Sequence, residues 1–179
     1  MSLISWFGFS PQSYVLAALI VLGIYLLGFR WEAISALVAA LLPPIVNTIV
    51  KGIIRRPRPT VDLVHVLRIL NSYSFPSGHV MYYVGFFGFL WFLAYTLLKR
   101  SWRRTLLLVF LGVLIALIGA SRIYLGQHWA SDVLGAYLLG SLTLVAILQF
   151  YRWGKARYFV TQPVAPPTPS EIKKASPAK

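Results

Sequence analysis

Five long apolar runs, each of a length to cross a bilayer, leave this chain few folds to choose from. They extend approximately from Pro11 to Phe29, Trp31 to Val50, His79 to Leu98, Thr105 to Ala120 and Ala130 to Phe150. A helix of roughly 20 apolar residues spans about 30 Å of hydrocarbon. The runs are continuous rather than alternating and rich in Leu, Ala and Gly, which argues against membrane strands. Composition points the same way. Only 12% of the residues are charged and 58% are hydrophobic, whereas a soluble domain is about a quarter charged. Mean hydropathy is +0.72. The expected fold is all-α, an integral membrane helical bundle with about five transmembrane helices.

The remaining segments follow from the same reasoning. Residues 1–160 read as one membrane-embedded domain, and 161–179 as a disordered cytoplasmic tail. Gln162 to Lys179 is rich in Pro, Ala, Ser and Lys, too polar to bury enough surface to order itself. Met1 to Ser10 has no positive charge before the first apolar run, so a cleaved signal peptide is the weaker reading. Trp6, Phe7 and Phe9 suit an aromatic anchor at the membrane interface. Thr60 to Leu70 carries Asp62, His65 and Arg68 at spacings of three, the narrow polar stripe of a short interfacial helix. His65 is expected at the surface. No internal repeat is present. The chain has no cysteine, which removes disulfides and thiolate metal sites.

Lys and Arg total 17 against 4 Asp and Glu, a net charge of +13. The cations sit at the ends of apolar segments rather than along a soluble face, which disfavours nucleic acid as a partner. Counting helices puts Arg30, the Lys99–Arg104 turn and Arg152, Lys155 and Arg157 on one side. The positive-inside rule makes that side, and the C-terminus with it, cytoplasmic. Lys51, Arg55, Arg56, Arg58, Arg68 and Arg122 fall on the other side, against the rule. A phosphate site accounts for such an excess. Lipid-headgroup anchoring accounts equally well for Arg55, Arg56 and Arg68.

Three polar clusters stand among these runs. Lys51 ends the second run, and Arg58-Pro59 follows seven residues later; two cations there can grip a phosphate dianion, the planar guanidinium best of all. Basic residues after a membrane helix also commonly just anchor it. Pro76-Ser77-Gly78-His79 immediately precedes the third run. A helix start offers free N–H groups and a positive dipole end to an anion. Ser77 can cap the helix or donate to the anion, Gly78 permits close backbone approach, and His79 can protonate a departing ester oxygen. A plain serine cap beside an interfacial histidine is the competing reading. The third cluster holds Ser121-Arg122, His128 and Asp132. His128 and Asp132 are one helical turn apart. A carboxylate accepting from one ring nitrogen leaves the other free as a nucleophile. A stabilising Asp–His pair is the plainer alternative. Arg122 adds a third cation. Two crossings separate the second and third clusters, so Lys51, Arg58, His79, Arg122, His128 and Asp132 share one face.

In order and spacing these clusters resemble the type 2 phosphatidic acid phosphatase family, membrane lipid phosphatases related to bacterial acid phosphatases and vanadium haloperoxidases. The family pattern is Lys, six residues, Arg-Pro; then Pro-Ser-Gly-His; then Ser-Arg, five residues, His, three residues, Asp. Every position is matched, from Lys51 to Asp132, across about 80 residues. Family members often have six membrane helices where five are counted here, which leaves the N-terminal topology as five or six.

The resemblance implies a metal-independent hydrolase of a lipid phosphate or pyrophosphate, acting at the outer face of the cytoplasmic membrane. Undecaprenyl pyrophosphate, phosphatidylglycerol phosphate, phosphatidic acid and a lipid A phosphate are the implied candidates. His128 would attack phosphorus and carry a phosphohistidine, Asp132 would orient it, and His79 would protonate the leaving oxygen. Lys51, Arg58, Ser77, Gly78 and Arg122 would hold the other phosphate oxygens. No cofactor, metal or obligate protein partner is expected. Besides Asp132 the acids are Glu32, Asp62 and Glu171, too few near the site for a two-metal cage. Two other functions stay open at this stage: a phosphotransferase using the same site, and a non-catalytic protein that binds anionic lipids.

Overall fold

The computed structural model describes residues 12–59 and 72–158. The expected interfacial helix with His65, the aromatic N-terminus and the tail lie outside them. The described residues form five helices: α1 Gln12–Leu26, α2 Arg30–Ile54, α3 Gly78–Leu97, α4 Trp102–Tyr124 and α5 Ala130–Tyr158. Each apolar run is recovered. Four helices, α2 to α5, are long and apolar enough to cross a membrane. The described part of α1 has 15 residues, about 22 Å of rise, short of a full hydrocarbon core.

α3 is the centre of the bundle. Val80, Met81, Tyr83, Phe86 and Phe89 are fully enclosed, and Tyr82, Tyr83, Phe86 and Phe87 pack ring against ring. The outer helices turn rows of apolar side chains outward instead. Leu134, Leu138, Leu142 and Val145 on α5 and Leu106, Val109, Phe110 and Val113 on α4 are exposed. Large hydrophobic faces of this kind suit lipid as solvent, and the protein is a multi-pass membrane protein.

Two close approaches set how the helices meet. Within α3, Tyr83–Phe87 forms a π-turn, and its Gly85 lies on the ring of Pro43 inside α2, where a Cβ would overlap Pro43 Cγ. On α5, a Cβ at Gly140 would come within 3.0 Å of Val84 and 3.4 Å of the Met81 backbone. Small residues at such crossings let helices pack closely without a hydrophobic drive between them.

The ends of the bundle differ in chemistry. At one end α2 and α4 finish while α3 and α5 begin, which brings together the residues flagged in the sequence. At the other, Glu32 is buried on α2 and pairs with Lys155 of α5 at 2.5 Å, also accepting from the Tyr151 hydroxyl at 3.1 Å. Trp31 Nε1 donates to the Tyr151 carbonyl. Glu32 thus lies opposite the site, as part of a clamp between the first turn of α2 and the last turns of α5.

Candidate active site

Each flagged residue occupies a helix end or a short connection. Lys51 lies in the last turn of α2, which ends with Arg55 in the left-handed region. Lys51 Nζ donates to the Tyr73 carbonyl at 2.6 Å. It borders an open cavity of about 750 Å³ that is also lined by Thr48, Gly52, Ser72 and Tyr73. Arg58 follows in the connection. Its Nε donates to the Ser72 carbonyl at 2.8 Å, and one Nη reaches both the Gln127 carbonyl at 2.5 Å and His128 Nε2 at 3.3 Å.

Ser77 and Gly78 open α3. Ser77 makes no capping bond; its buried hydroxyl has no hydrogen-bond partner among the described residues. The turn is held by Asn47 of α2, whose Nδ2 donates to the Pro76 carbonyl at 3.0 Å, and by the Ser77 N–H, which reaches the Asp132 carbonyl at 3.3 Å. His79 lies within electrostatic reach of Arg122, His128, Arg58 and Lys51. Arg122, at the end of α4, is wholly buried and donates to Gln127 Oε1 at 2.9 Å.

His128 and Asp132 flank the start of α5. Arg58 carries only donors, so its approach to His128 Nε2 assigns the lone pair to Nε2 and the proton to Nδ1. Nδ1 faces Asp132 Oδ2 at 3.7 Å, longer than a hydrogen bond. Burial holds His128 below the ordinary histidine range. Its contact with Asp132 opposes that shift, and Arg58 and Lys51 reinforce it. Burial likewise lowers Arg58, with Asp132 opposing. The arrangement is an imidazole whose charged form is disfavoured, with Nε2 toward Arg58, ringed by cations and backed by a carboxylate.

Four residues that the sequence reading did not assign to the site complete it. Arg56 donates from one Nη to Asp132 Oδ1 and to Ser131 Oγ, both at 2.8 Å, so it is an internal ion pair rather than a headgroup anchor. The Ser74 hydroxyl donates to Asp132 Oδ2. Gln127 links Arg122 to Arg58 through its amide oxygen and its carbonyl. Asn47 ties α2 to the serine-glycine turn. Of the four, Asn47 carried a readable signal: a lone amide in an apolar run, one turn before Lys51.

Known proteins are similar to this chain in sequence and fold. The PAP2 superfamily profile matches residues 32–156. Phosphatidylglycerophosphatase B of Bacillus subtilis strain 168 is 32% identical over 146 residues, covering 78% of this chain and 68% of that protein. YbjG of Escherichia coli strain K12, provisionally named an undecaprenyl-diphosphatase, is 41% identical over 69 residues, 38% of this chain and 30% of its own length. A crystal structure of a transmembrane PAP2-type phosphatidylglycerolphosphate phosphatase from Bacillus subtilis superposes with a TM-score of 0.75 at 29% identity, covering 89% of this chain and 77% of that one.

Proposed function

The chain belongs to the PAP2 superfamily, and from that premise we propose that this membrane phosphatase hydrolyses a lipid phosphate or pyrophosphate through a phosphohistidine on His128. The observation that carries the reading is the setting of His128: Arg58 against Nε2, Asp132 behind Nδ1. Nε2 attacks phosphorus as the P–O bond to the lipid breaks. His79 gives a proton to the departing oxygen. It then takes one from water, which attacks phosphorus, breaks the P–N bond and returns His128. Lys51, Arg58, Arg122, the Ser77 hydroxyl and the backbone at Gly78 hold the three non-bridging oxygens, where preorganised donors lower the barrier most. Fixed cations take the part that a metal plays elsewhere, so no cofactor enters the cycle.

The substrate is a lipid because the site opens at one end of a membrane bundle, where a phosphate can enter a basic pocket while its chain stays in the bilayer. Phosphatidylglycerol phosphate ranks first, since the Bacillus subtilis relative that matches over most of both chains is named for it. Undecaprenyl pyrophosphate ranks second, from the shorter match. Arg30, Lys99, Arg100, Arg103, Arg152 and Arg157 are exposed at the opposite end, so the positive-inside rule turns the site to the outer face of the cytoplasmic membrane. Phosphate release from a panel of these lipids in EDTA, with His128→Ala beside the wild type, tests the reading. Release by the wild type alone supports it. Equal release by the variant, or a phosphorylated acceptor lipid in place of free phosphate, refutes it.

A further inference from the structure

We propose that Arg56, which lies outside the three motifs, is a positioning residue that holds the Asp132 carboxylate with one oxygen on its guanidinium and the other toward His128. The inference rests on the reading of His128 as the nucleophile. Asp132 is fully buried and Arg56 is partly exposed, with relative side-chain exposures of 0% and 37%. Each carboxylate oxygen has its own partners. Oδ1 takes Arg56 at 2.8 Å. Oδ2 takes the Ser74 hydroxyl and the Trp129 N–H and faces His128 Nδ1. Arg56 is itself fixed: the same Nη binds Ser131 Oγ, and the guanidinium carbon sits 5.8 Å from the centre of the Trp129 ring.

The backbone makes Arg56 a junction of all three clusters. Its carbonyl accepts from the Ser74 N–H at 2.8 Å, so Arg56 also steers the segment that delivers Ser77. Trp129 Nε1 donates to the next carbonyl, that of Pro57, at 3.2 Å. Arg58, two residues on, is then aimed at His128. A carboxylate held at one oxygen presents the other at a set angle, and near-attack geometry is sensitive to displacements of an ångström.

Charge gives Arg56 a second effect. His128 is faced by Lys51 and Arg58 before it, by His79 of α3, and by Arg122 of α4 through Gln127. Asp132 is the one anion among these described groups, and Arg56 is its direct counter-ion. Without Arg56 the carboxylate draws a proton onto His128 more strongly, and an imidazolium cannot attack phosphorus. The acid limb of the rate profile then moves to higher pH.

Full-length Arg56→Ala, Arg56→Gln and Arg56→Lys, purified in detergent, test this with phosphatidic acid or phosphatidylglycerol phosphate as probe. The expected result is a fall in kcat of about 10- to 100-fold for Ala, with KM changed less than about threefold. The acid limb of kcat/KM shifts upward for both Ala and Gln. Lys restores the limb and much of kcat; a residue that only tethers the connection would not move the limb. Wild-type limbs and rates in Ala and Gln overturn the proposal, as does a loss of kcat that leaves the limb in place and that Lys does not repair. Should Arg56→Ala fail to accumulate, the comparison of Gln with Lys decides alone, since both keep the bulk and only Lys keeps the charge. The wild type and His128→Ala are the controls: failure there sinks the phosphohistidine reading itself, whereas normal controls with indifferent Arg56 variants sink only this inference.

Discussion

Gly78 and Asn47 form one device, and a double-mutant cycle exposes it. A Cβ on Gly78 would lie 3.1 Å from Asn47 Oδ1, tighter than ordinary van der Waals contact. Asn47 is buried and its amide is what holds the Pro76 carbonyl, at 3.0 Å. Gly78→Ala therefore acts partly by pushing Asn47 off Pro76. Asn47→Ala removes that bond directly and leaves a buried carbonyl unpaired, a loss of about 1–3 kcal/mol. Expressed in the transition state, this is a drop of about 5- to 150-fold in kcat/KM. In the double variant there is no Asn47 side chain left to displace. Whatever Gly78→Ala costs by crowding the phosphate is present with or without Asn47 and cancels from the cycle. The double variant should thus be less impaired than the product of the two singles, by about 1 kcal/mol or more, within the range seen for residues in contact. The assay is kcat/KM for phosphate release from a lipid phosphate in EDTA. Additivity within about 0.5 kcal/mol would refute the reasoning.

Further predictions follow from other parts of the molecule. His128, held low by burial and by Arg58 and Lys51, stays neutral below the ordinary histidine value of about 6.5. The acid limb of kcat/KM that reports it should lie below that pH, and a limb at or above it would contradict the assignment. The unfolded chain takes up this proton near pH 6.5 and the folded one only lower. The stability linked to His128 is therefore complete above pH 6.5 and lost as pH falls through the folded value, which thermal unfolding across pH can follow. Glu32→Gln should lower the thermal midpoint in detergent while leaving kcat unchanged. The loss should be about 1–2 kcal/mol, reduced from that of a fully buried pair because Lys155 is about a third exposed and solvent screens it. Gly85→Ala drives a methyl into Pro43 and should cost about 1–3 kcal/mol by overpacking, read as a lower midpoint with α2 displaced from α3.

Much of this was legible in the sequence, for identifiable reasons. Lipid demands continuous apolar runs with all backbone bonds made inside the helix, so α2 to α5 appear as hydropathy alone. The helix count then put Lys51, Arg58, His79, Arg122, His128 and Asp132 at one end, and their contacts are found there. α1 shows what hydropathy does not give, since its described part stops at Leu26, three residues before the apolar run ends. Gly28, at φ 89°, lies in the turn that follows, in a conformation that suits glycine rather than a continuing helix. Arg56 shows a different limit. In sequence it is one of several cations after a membrane helix, indistinguishable from Arg55, whose Nε binds the nearby Gly52 carbonyl. Its pairing with Asp132 depends on how a connection folds across 76 residues of separation, and no local pattern records that. Ser74 and Gln127 are hidden for the same reason. Ser74 meets Asp132 58 residues away, and Gln127 meets Arg58 69 residues away.

The most direct test of the central claim is to trap the phosphoryl group. Purified protein is mixed with a lipid phosphate carrying radiolabelled phosphorus, in EDTA, and quenched in alkali within a single turnover. The account predicts label on the wild-type chain that survives base, is released by mild acid, maps to His128 and is absent from His128→Ala. Unlabelled protein alongside rapid phosphate release, or label on any other residue, would contradict it.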